Sequence, residues 1–351
     1  MIILGIETSC DETAAAVVED VGDAARPWVI RSSVVASQAD IHREWGGVVP
    51  ELASRQHIRD ICGVVEGALS GAGVAPADLG AIAVTQGPGL VGSLLVGVSF
   101  AKSLAATWGV PLVPVHHLAG HIESLFLHHG PLPLPAMVLV VSGGHTNLFD
   151  VRAPGAYRAV GRTRDDAAGE AYDKVAKLVG LGYPGGPVID RLAKAGNDSA
   201  IPLPVARMTH PDRNAPLQKG QWDFSFSGLK TAVLRHVKAK GAGWTPSPGE
   251  VADLCASFQR SVVEALVEKT FAAATWHGAT SVGIAGGVSA NSRLRADAAA
   301  FGRRAGIPVY VPPLALATDN AAMIAAAGLR RYYAGVRADS RLNADAALRL
   351  E

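Results

Sequence analysis

Pro131-Leu132-Pro133-Leu134-Pro135, followed by Ala136-Met137-Val138-Leu139-Val140-Val141-Ser142-Gly143-Gly144-His145-Thr146, is the stretch that decides the fold. Alternating prolines deny a segment both helix and ladder hydrogen bonds, so the first five residues read as a linker. Met137 to Val141 is then a continuous apolar run, the mark of a buried strand. Ser142 to His145 is a glycine turn, and Thr146 to Val151 reads as a returning strand. The same figure stands at the start of the chain. Ile2 to Glu7 is an apolar strand, Thr8-Ser9-Cys10-Asp11-Glu12 a polar turn, and Thr13 to Val18 the returning strand. Each half opens with a strand–turn–strand hairpin and closes as helix–strand–helix–strand–helix. That order predicts a duplicated α/β fold with a lobe over residues 1–134, a second over 135–351 and a cleft between them. The last helix is free to pack back on the first lobe.

In the first half, a third strand is expected from Val29 to Ala36 and an amphipathic helix from Val49 to Leu69. Ala81 to Thr85 and Pro111 to Val115 read as strands, with a helix running to Trp108 between them. In the second half, helices are expected over Glu170–Leu178, Pro187–Ala195, Gly228–Lys240 and Val251–Trp276. A strand at Val282–Ala285, a helix to Ala305, a strand at Val309–Val311 and a helix over Asp319–Tyr333 complete the pattern. The tail after Tyr333 is loosely patterned.

The 351 residues are 49% hydrophobic and 18% charged, which describes a globular protein with a large core. Lys and Arg total 32 against 31 Asp and Glu, so no global basic field marks the chain for nucleic acid. Cys10, Cys62 and Cys255 form no Cys-x-x-Cys pair, which argues against a disulfide framework or zinc ribbon and fits a reducing cytosol. Met1 to Ile6 lacks a basic flank and reads as a buried strand rather than a signal peptide. No apolar stretch reads as long enough to span a bilayer, so no membrane is expected.

Two histidines, His117 and His121, stand four residues apart in His116-His117-Leu118-Ala119-Gly120-His121 and share one helix face. Gly120 reads as leaving that face open. The best candidate for a third ligand is Asp319 in Ala317-Thr318-Asp319-Asn320. Two histidines and one carboxylate with open positions suit Fe(II) or a similar divalent ion. His116, His128 and His129 lie nearby, and spacing alone does not choose among the five.

Three turns carry glycines where a backbone could approach an anion closely: Ser142-Gly143-Gly144-His145, Gly182-Tyr183-Pro184-Gly185-Gly186-Pro187 and Gly286-Gly287-Val288-Ser289. None is a Walker A loop, and none is a dinucleotide fingerprint. Asp11, Glu12, Asp173 and Asp190 are carboxylates placed to meet sugar hydroxyls. Asn291 reads equally as the N-cap of the helix after it.

These motifs together resemble one family. Gly5-Ile6-Glu7-Thr8-Ser9-Cys10-Asp11-Glu12-Thr13, Gly46 to Arg55, Gly87-Pro88-Gly89-Leu90 and His116 to His121 carry the resemblance in the first half. Val141 to Thr146, Asp223-Phe224-Ser225-Phe226-Ser227-Gly228-Leu229-Lys230 and Gly286 to Asn291 carry it in the second. The family is the bacterial tRNA threonylcarbamoyladenosine transferases, or TsaD proteins, once described as sialoglycoprotein endopeptidases. The resemblance implies a duplicated actin-like, Hsp70-like (ASKHA) fold. It implies one iron, as Fe(II), on His117, His121 and Asp319, another divalent metal also suiting the set. It implies threonylcarbamoyl-AMP held by Val140, Val141, Ser142, Gly143, Gly144, Asp173, Gly186, Asp190 and Asn291. Asp11 and Glu12 are implied to matter for catalysis. Many members have Met-Glu between the histidines where this chain has Leu118-Ala119.

The implied reaction transfers a threonylcarbamoyl group to N6 of the adenosine just 3′ of the anticodon, in tRNAs reading codons that begin with A. AMP is released. A paralogous actin-like subunit of TsaB type and a small ATPase of TsaE type are implied partners in the cytoplasm. An apolar helix within Val91–Trp108 or Leu118–His128 is the expected docking surface for the paralogue. A metalloprotease would need glutamate at position 118, which is leucine. An ATP-driven kinase or ATPase on the same fold would leave the histidine pair idle, and so would a silent scaffold. Arg207 to Lys240 holds seven basic and two acidic residues, a local charge of +5. Lys230, Arg235 and Lys238 are the expected phosphate contacts for tRNA, with Trp222, Phe224 and Phe226 placed to stack on a base.

Overall fold

The computed structural model describes residues 1–206, 221–241 and 245–350. In chain order the first half holds β1 (Ile2–Glu7), β2 (Glu12–Asp20), β3 (Trp28–Ser37), α1 (Ala39–Arg43), α2 (Pro50–Ala72), β4 (Ala81–Gly87), α3 (Val91–Trp108), β5 (Leu112–His116) and α4 (His117–His129). Then come β6 (Ala136–Val141), β7 (Thr146–Ala153), β8 (Ala156–Arg162), α5 (Ala168–Leu178), α6 (Gly185–Ala193), α7 (Ser227–Ala239) and α8 (Pro248–His277). The chain continues with β9 (Ser281–Ala285), α9 (Ser292–Ala305), β10 (Val309–Tyr310), α10 (Leu314–Ala317) and α11 (Ala321–Tyr333).

Two compact units divide these elements. One comprises Met1–Leu132, Ala153–Tyr157 and Pro312–Glu351, and the other Pro133–Arg152 and Arg158–Val311. The sheet of the first unit has the order β3-β2-β1-β4-β5. Its β1 runs antiparallel to β2, with Ile3 opposite Val18, and parallel to β4, with Ile3 opposite Ala81. The second sheet, read from its hairpin edge, has the order β8-β7-β6-β9-β10. Here β6 is antiparallel to β7 and parallel to β9, and β10 is parallel to β9. Strand order is therefore repeated, as is the sense of the hairpin and of the parallel strands beside it, which is the duplication expected from the two hairpins.

β8 has no counterpart in the expected elements. It is an edge strand on which only Tyr157 and Gly161 are buried, so its sequence carries no apolar alternation. Within the second unit the core is built on β6, β9, α5 and α8, with Phe224, Phe226, Phe258 and Phe271 among its largest side chains.

In the first unit, α4 and α11 decide the geometry. α4 is buried from His117 through Leu127, apolar on every side except at its histidines, Glu123 and Ser124. A helix apolar all round belongs inside a core, and each fully buried Leu, Ile or Phe contributes roughly 1.5–3 kcal/mol. α11 packs on α4 and on β1. Glycine makes that approach: a Cβ on Gly5 would stand 2.3 Å from the Ala321 carbonyl, and one on Gly328 would stand 2.4 Å from the Ala83 Cβ.

α3 differs from expectation in one respect. Its 18 residues have a mean hydropathy of 1.3, so by length and composition alone it qualifies as a membrane span, with 33% of it buried. Ser93, Leu94, Gly97, Val98 and Ala101 form its buried side, and the helix packs against β4 and α2.

Candidate functional site

β1, β4 and β5 run parallel, and their C-terminal ends carry Glu7, Thr85 and His116. The carboxyl ends of parallel strands are where α/β sheets gather their ligands. α4 starts at this edge, so His117 is its first residue and His121 lies one turn on. Asp319 arrives in the short connection between α10 and α11, just before the Asn320 that caps α11. The result is a three-residue donor set. His121 Nε2 lies 3.2 Å and His117 Nε2 lies 3.5 Å from Asp319 Oδ1, and one ligand atom from each residue falls within 4.8 Å of the others.

Two groups the sequence did not single out as site residues contact His117, and Thr85 supports one of them. His117 Nδ1 lies 3.0 Å from Glu7 Oε2 and 3.2 Å from the Ser9 hydroxyl. Glu7 is fully buried and also accepts from the Ser9 N–H at 2.5 Å and the Thr85 hydroxyl at 2.8 Å. A buried carboxylate is costly unless its lone pairs are filled, and here they are. Glu7 thereby turns Nε2 of His117 toward Asp319, the arrangement in which a carboxylate orients a metal-binding histidine. The one signal for Glu7 was a charged residue ending an otherwise apolar strand.

The electrostatics call for a cation. Burial pushes His117 down, but Asp319 and Glu7 outweigh it and hold the imidazole up to about 9. Burial would raise Glu7, and the charge and hydrogen bond of His117 hold it below the usual carboxylate range instead. Burial lowers His121, with the His117 charge adding to the effect against the pull of Asp319. His121 Nδ1 is buried without a hydrogen bond, and its Nε2 faces only Asp319 Oδ1 at 3.2 Å. Two buried imidazoles turned onto one carboxylate oxygen, with a second carboxylate behind, fit a divalent ion, so the residues suit the group.

The other histidines stand apart from this set. His116 caps α4, and the rings of His128 and His129 pack edge-on against each other. Gly120 does not open the face, contrary to expectation. It is buried, and its missing Cβ admits α11, since that atom would stand 2.8 Å from Ile324 Cδ1. Helix packing rather than ligand access explains glycine there. α4 is buried from His117 to Leu127 and does not offer the exposed apolar helix expected there, whereas Val91 and Leu95 of α3 are exposed.

Asp11 and Glu12 form the end of the turn after β1. That turn is held from behind: buried His57 reaches the Cys10 carbonyl at 3.0 Å and the Thr13 hydroxyl at 2.7 Å. The Asp11 carbonyl accepts from the Gln38 N–H at 3.0 Å. Burial, then the charges of Asp319 and Asp11, push the Glu12 carboxyl well up.

In the second unit the glycine turns after β6 and β9 meet at the ends of those strands, and the third lies between α5 and α6. Val140 pairs with Ala285, Val141 ends β6, and the Ser142 N–H donates to the His145 carbonyl at 2.8 Å. Gly143 and Gly144 are exposed, with open space where a Cβ would stand. Gly286 has φ +91° and no room for a side chain against the Val141 carbonyl. Asp173 accepts from the Gly185 N–H at 2.7 Å and so fixes the start of α6 beside Gly186. Asp190 accepts from the Ser292 hydroxyl at 2.8 Å and from Gln259 at 3.1 Å. Asn291 caps α9 through the Leu294 N–H and donates to Gln259 Oε1 at 2.8 Å. Asp190 and Asn291 thus share Gln259, a residue the sequence did not flag. A cavity of about 440 Å³ lies against Gln259, Ser292 and Arg293.

Two of the three aromatics expected to stack on a base do not reach solvent, and the third, Trp222, is half-buried. Phe224 and Phe226 are each 1% exposed, and Trp222 packs against Trp276. Basic residues surround the three in sequence, which points to a surface, whereas the segment holding Phe224 and Phe226 packs into the core. Arg235 and Lys238 are exposed, one helical turn apart on α7, while Lys240 pairs with Glu250 at 3.1 Å. Arg207, Asp212, Arg213 and Lys219 lie outside the described residues.

A family model described as TsaD, tRNA N6-adenosine threonylcarbamoyltransferase, matches residues 29–326. The chain belongs to the TsaD family. Among relatives, the tRNA N6-adenosine threonylcarbamoyltransferase of Anaeromyxobacter dehalogenans (strain 2CP-C) is 55% identical over 349 residues, covering 99% of each chain. That of Bacillus subtilis (strain 168) is 50% identical over 354 residues, covering 100% of this chain and 96% of the relative. The TsaD-family chain is therefore a transferase that modifies tRNA, forming threonylcarbamoyladenosine. Solved structures agree in fold alone. Component A of the (R)-2-hydroxyglutaryl-CoA dehydratase of Acidaminococcus fermentans superposes with a TM-score of 0.52 at 15% identity, over 95% of this chain and 98% of that one. Full-length HypF in its phosphate- and nucleotide-bound form gives 0.56 at 13% identity, over 95% of this chain and 46% of that one. The fold is the duplicated actin-like (ASKHA) fold.

Proposed function

We propose that the chain takes the threonylcarbamoyl group from threonylcarbamoyl-AMP and places it on N6 of the adenosine just 3′ of the anticodon. The substrates would be tRNAs reading codons that begin with A. The observation that carries this reading is the donor set of His117, His121 and Asp319 at the strand ends of the first unit, in a chain of this family. The N6 amine attacks the carbamoyl carbonyl, the new C–N bond forms, and the bond to the phosphate oxygen breaks with AMP taking the electron pair. Fe(II) on His117, His121 and Asp319 would supply positive charge for a carbonyl or carboxylate of the threonylcarbamoyl group.

The other roles fall to the chain's own groups. Asp11 or Glu12 would receive the proton lost from N6, and a carboxyl raised as Glu12 is makes a stronger base. Val140, Val141, Ser142, Gly143, Gly144, Asp173, Gly186, Asp190 and Asn291 would hold the adenylate. The open Gly143–Gly144 turn would take its phosphate. Lys230, Arg235 and Lys238 would position tRNA through phosphate contacts. Exposed Val91 and Leu95 of α3, with Ile58 of the adjoining α2, offer a surface for a TsaB-type paralogue. A TsaE-type ATPase would complete the assembly. Free Cys10, Cys62 and Cys255 suit a cytoplasmic setting.

The test is reconstitution with tRNA, threonylcarbamoyl-AMP, Fe(II) and the two partners. Slow transfer by the chain alone, accelerated by both partners and abolished by chelator, is expected. Full chelator-insensitive transfer would overturn the metal assignment, and full turnover without partners would overturn the assembly.

A further inference from the structure

Past α11 the chain is an ordered strap. The Ala338 N–H donates to the Leu112 carbonyl at 2.8 Å, and the Lys102 ammonium donates to the Leu342 carbonyl at 3.0 Å. The Asp345 N–H donates to the Gln86 carbonyl at 2.9 Å. Leu342 and Ala344 pack on the apolar core of the first unit. The strap passes closest at Gly87, where a Cβ would stand 1.8 Å from the Asp345 carbonyl oxygen.

It ends on His116. This residue is buried and is the N-cap of α4, its Nδ1 accepting the Leu118 N–H at 3.1 Å. An imidazole nitrogen that accepts carries no proton, so in the neutral ring the proton is on Nε2. Nε2 lies 3.1 Å from the Leu348 carbonyl and donates to it. One ring therefore joins the strap to the first turn of the helix that begins with His117. The strap leaves the far end of α11, and Asp319 stands just before the near end. The strap is thus continuous with α11, the helix that Asp319 precedes, and bonded to the first turn of α4, the helix that carries both histidines.

We propose that the strap from Ala338 to Leu348 fixes the start of α4 through His116, a positioning residue, and so sets how tightly His117, His121 and Asp319 hold a divalent ion. The proposal rests on the metal reading above, and it is tested by two substitutions in the full chain. His116→Asn keeps a side-chain acceptor for the Leu118 N–H but is too short to reach Leu348. Gly87→Ala displaces the strap from a point outside α4, so either variant decides the matter if the other fails to fold. Hydrogen exchange of the amides from Leu118 to Ile122 and titration with Co(II) are the readouts, each on protein first verified as folded. Both variants should exchange faster over this turn, and Co(II) binding should weaken by about 10- to 100-fold, as for other groups that orient metal ligands. Wild-type exchange and wild-type Co(II) affinity in a folded variant would overturn the proposal. A parent chain that binds no Co(II) would instead overturn the metal reading, and the exchange comparison would still decide whether the strap fixes the turn.

Discussion

Lowering the pH from about 9 to about 7 should weaken divalent-ion binding by about 50-fold. Burial alone would depress His117, but Asp319 and Glu7 hold its imidazole up to about 9. Below that value the ring carries a proton in the ion-free protein, and that proton must leave before Nε2 can act as a ligand. Each pH unit well below about 9 then costs about a factor of ten in apparent affinity. His121 adds no second proton over this range, because burial first, and then the His117 charge, lowers it. The stability of the ion-free chain runs the other way. A histidine raised in the folded state stabilises fully below its unfolded value of 6.5, and that contribution is lost as the pH rises through about 9. Calorimetric titration with Co(II) in buffers of different protonation enthalpy reads both affinity and proton release. Close to one proton released per ion at neutral pH is expected. A pH-independent affinity with no proton release would refute the reasoning.

Three further outcomes follow from the packing and the charges. His121→Ala should bind at most a small fraction of the parent's ion, and because His121 is fully buried it should also lower stability by about 1–3 kcal/mol in chemical denaturation; stoichiometric ion in the mutant would place the site elsewhere. Gly5→Ala drives a Cβ into the Ala321 backbone, so a loss of about 1–3 kcal/mol is expected, and an unchanged denaturation midpoint would contradict the close approach of α11 to β1. Arg235→Glu with Lys238→Glu should weaken tRNA binding and reduce its salt slope by about 1–2, with ion binding unchanged, whereas an unaltered slope would move the tRNA contact off α7.

The duplication was legible because each half starts with an apolar strand, a polar turn and a second apolar strand, which survive as β1–β2 and β6–β7. β8 was not legible, because an edge strand with two buried residues has no alternation to detect. The histidine pair was legible from helical spacing. Its partner Asp319 is distant in sequence and is delivered by α11 crossing β1, a contact that Gly5 and Gly328 permit and no local pattern encodes. Gly120 was misread for the same reason, since whether a glycine faces a ligand or another helix depends on what packs there. Glu7 was missed because nothing in a strand sequence tells a buried carboxylate from a strand's polar end. Phe224 and Phe226 looked like a stacking platform because charge surrounds them in sequence, yet in space both rings join the core. The tail carries its information in backbone hydrogen bonds, which leave no side-chain pattern.

The most direct test of the central claim is nucleoside analysis of tRNA from cells depleted of this chain. Threonylcarbamoyladenosine should fall with the protein and return when the intact chain is supplied, but not when His117→Ala is supplied. Normal levels of the modified nucleoside after depletion would contradict the account.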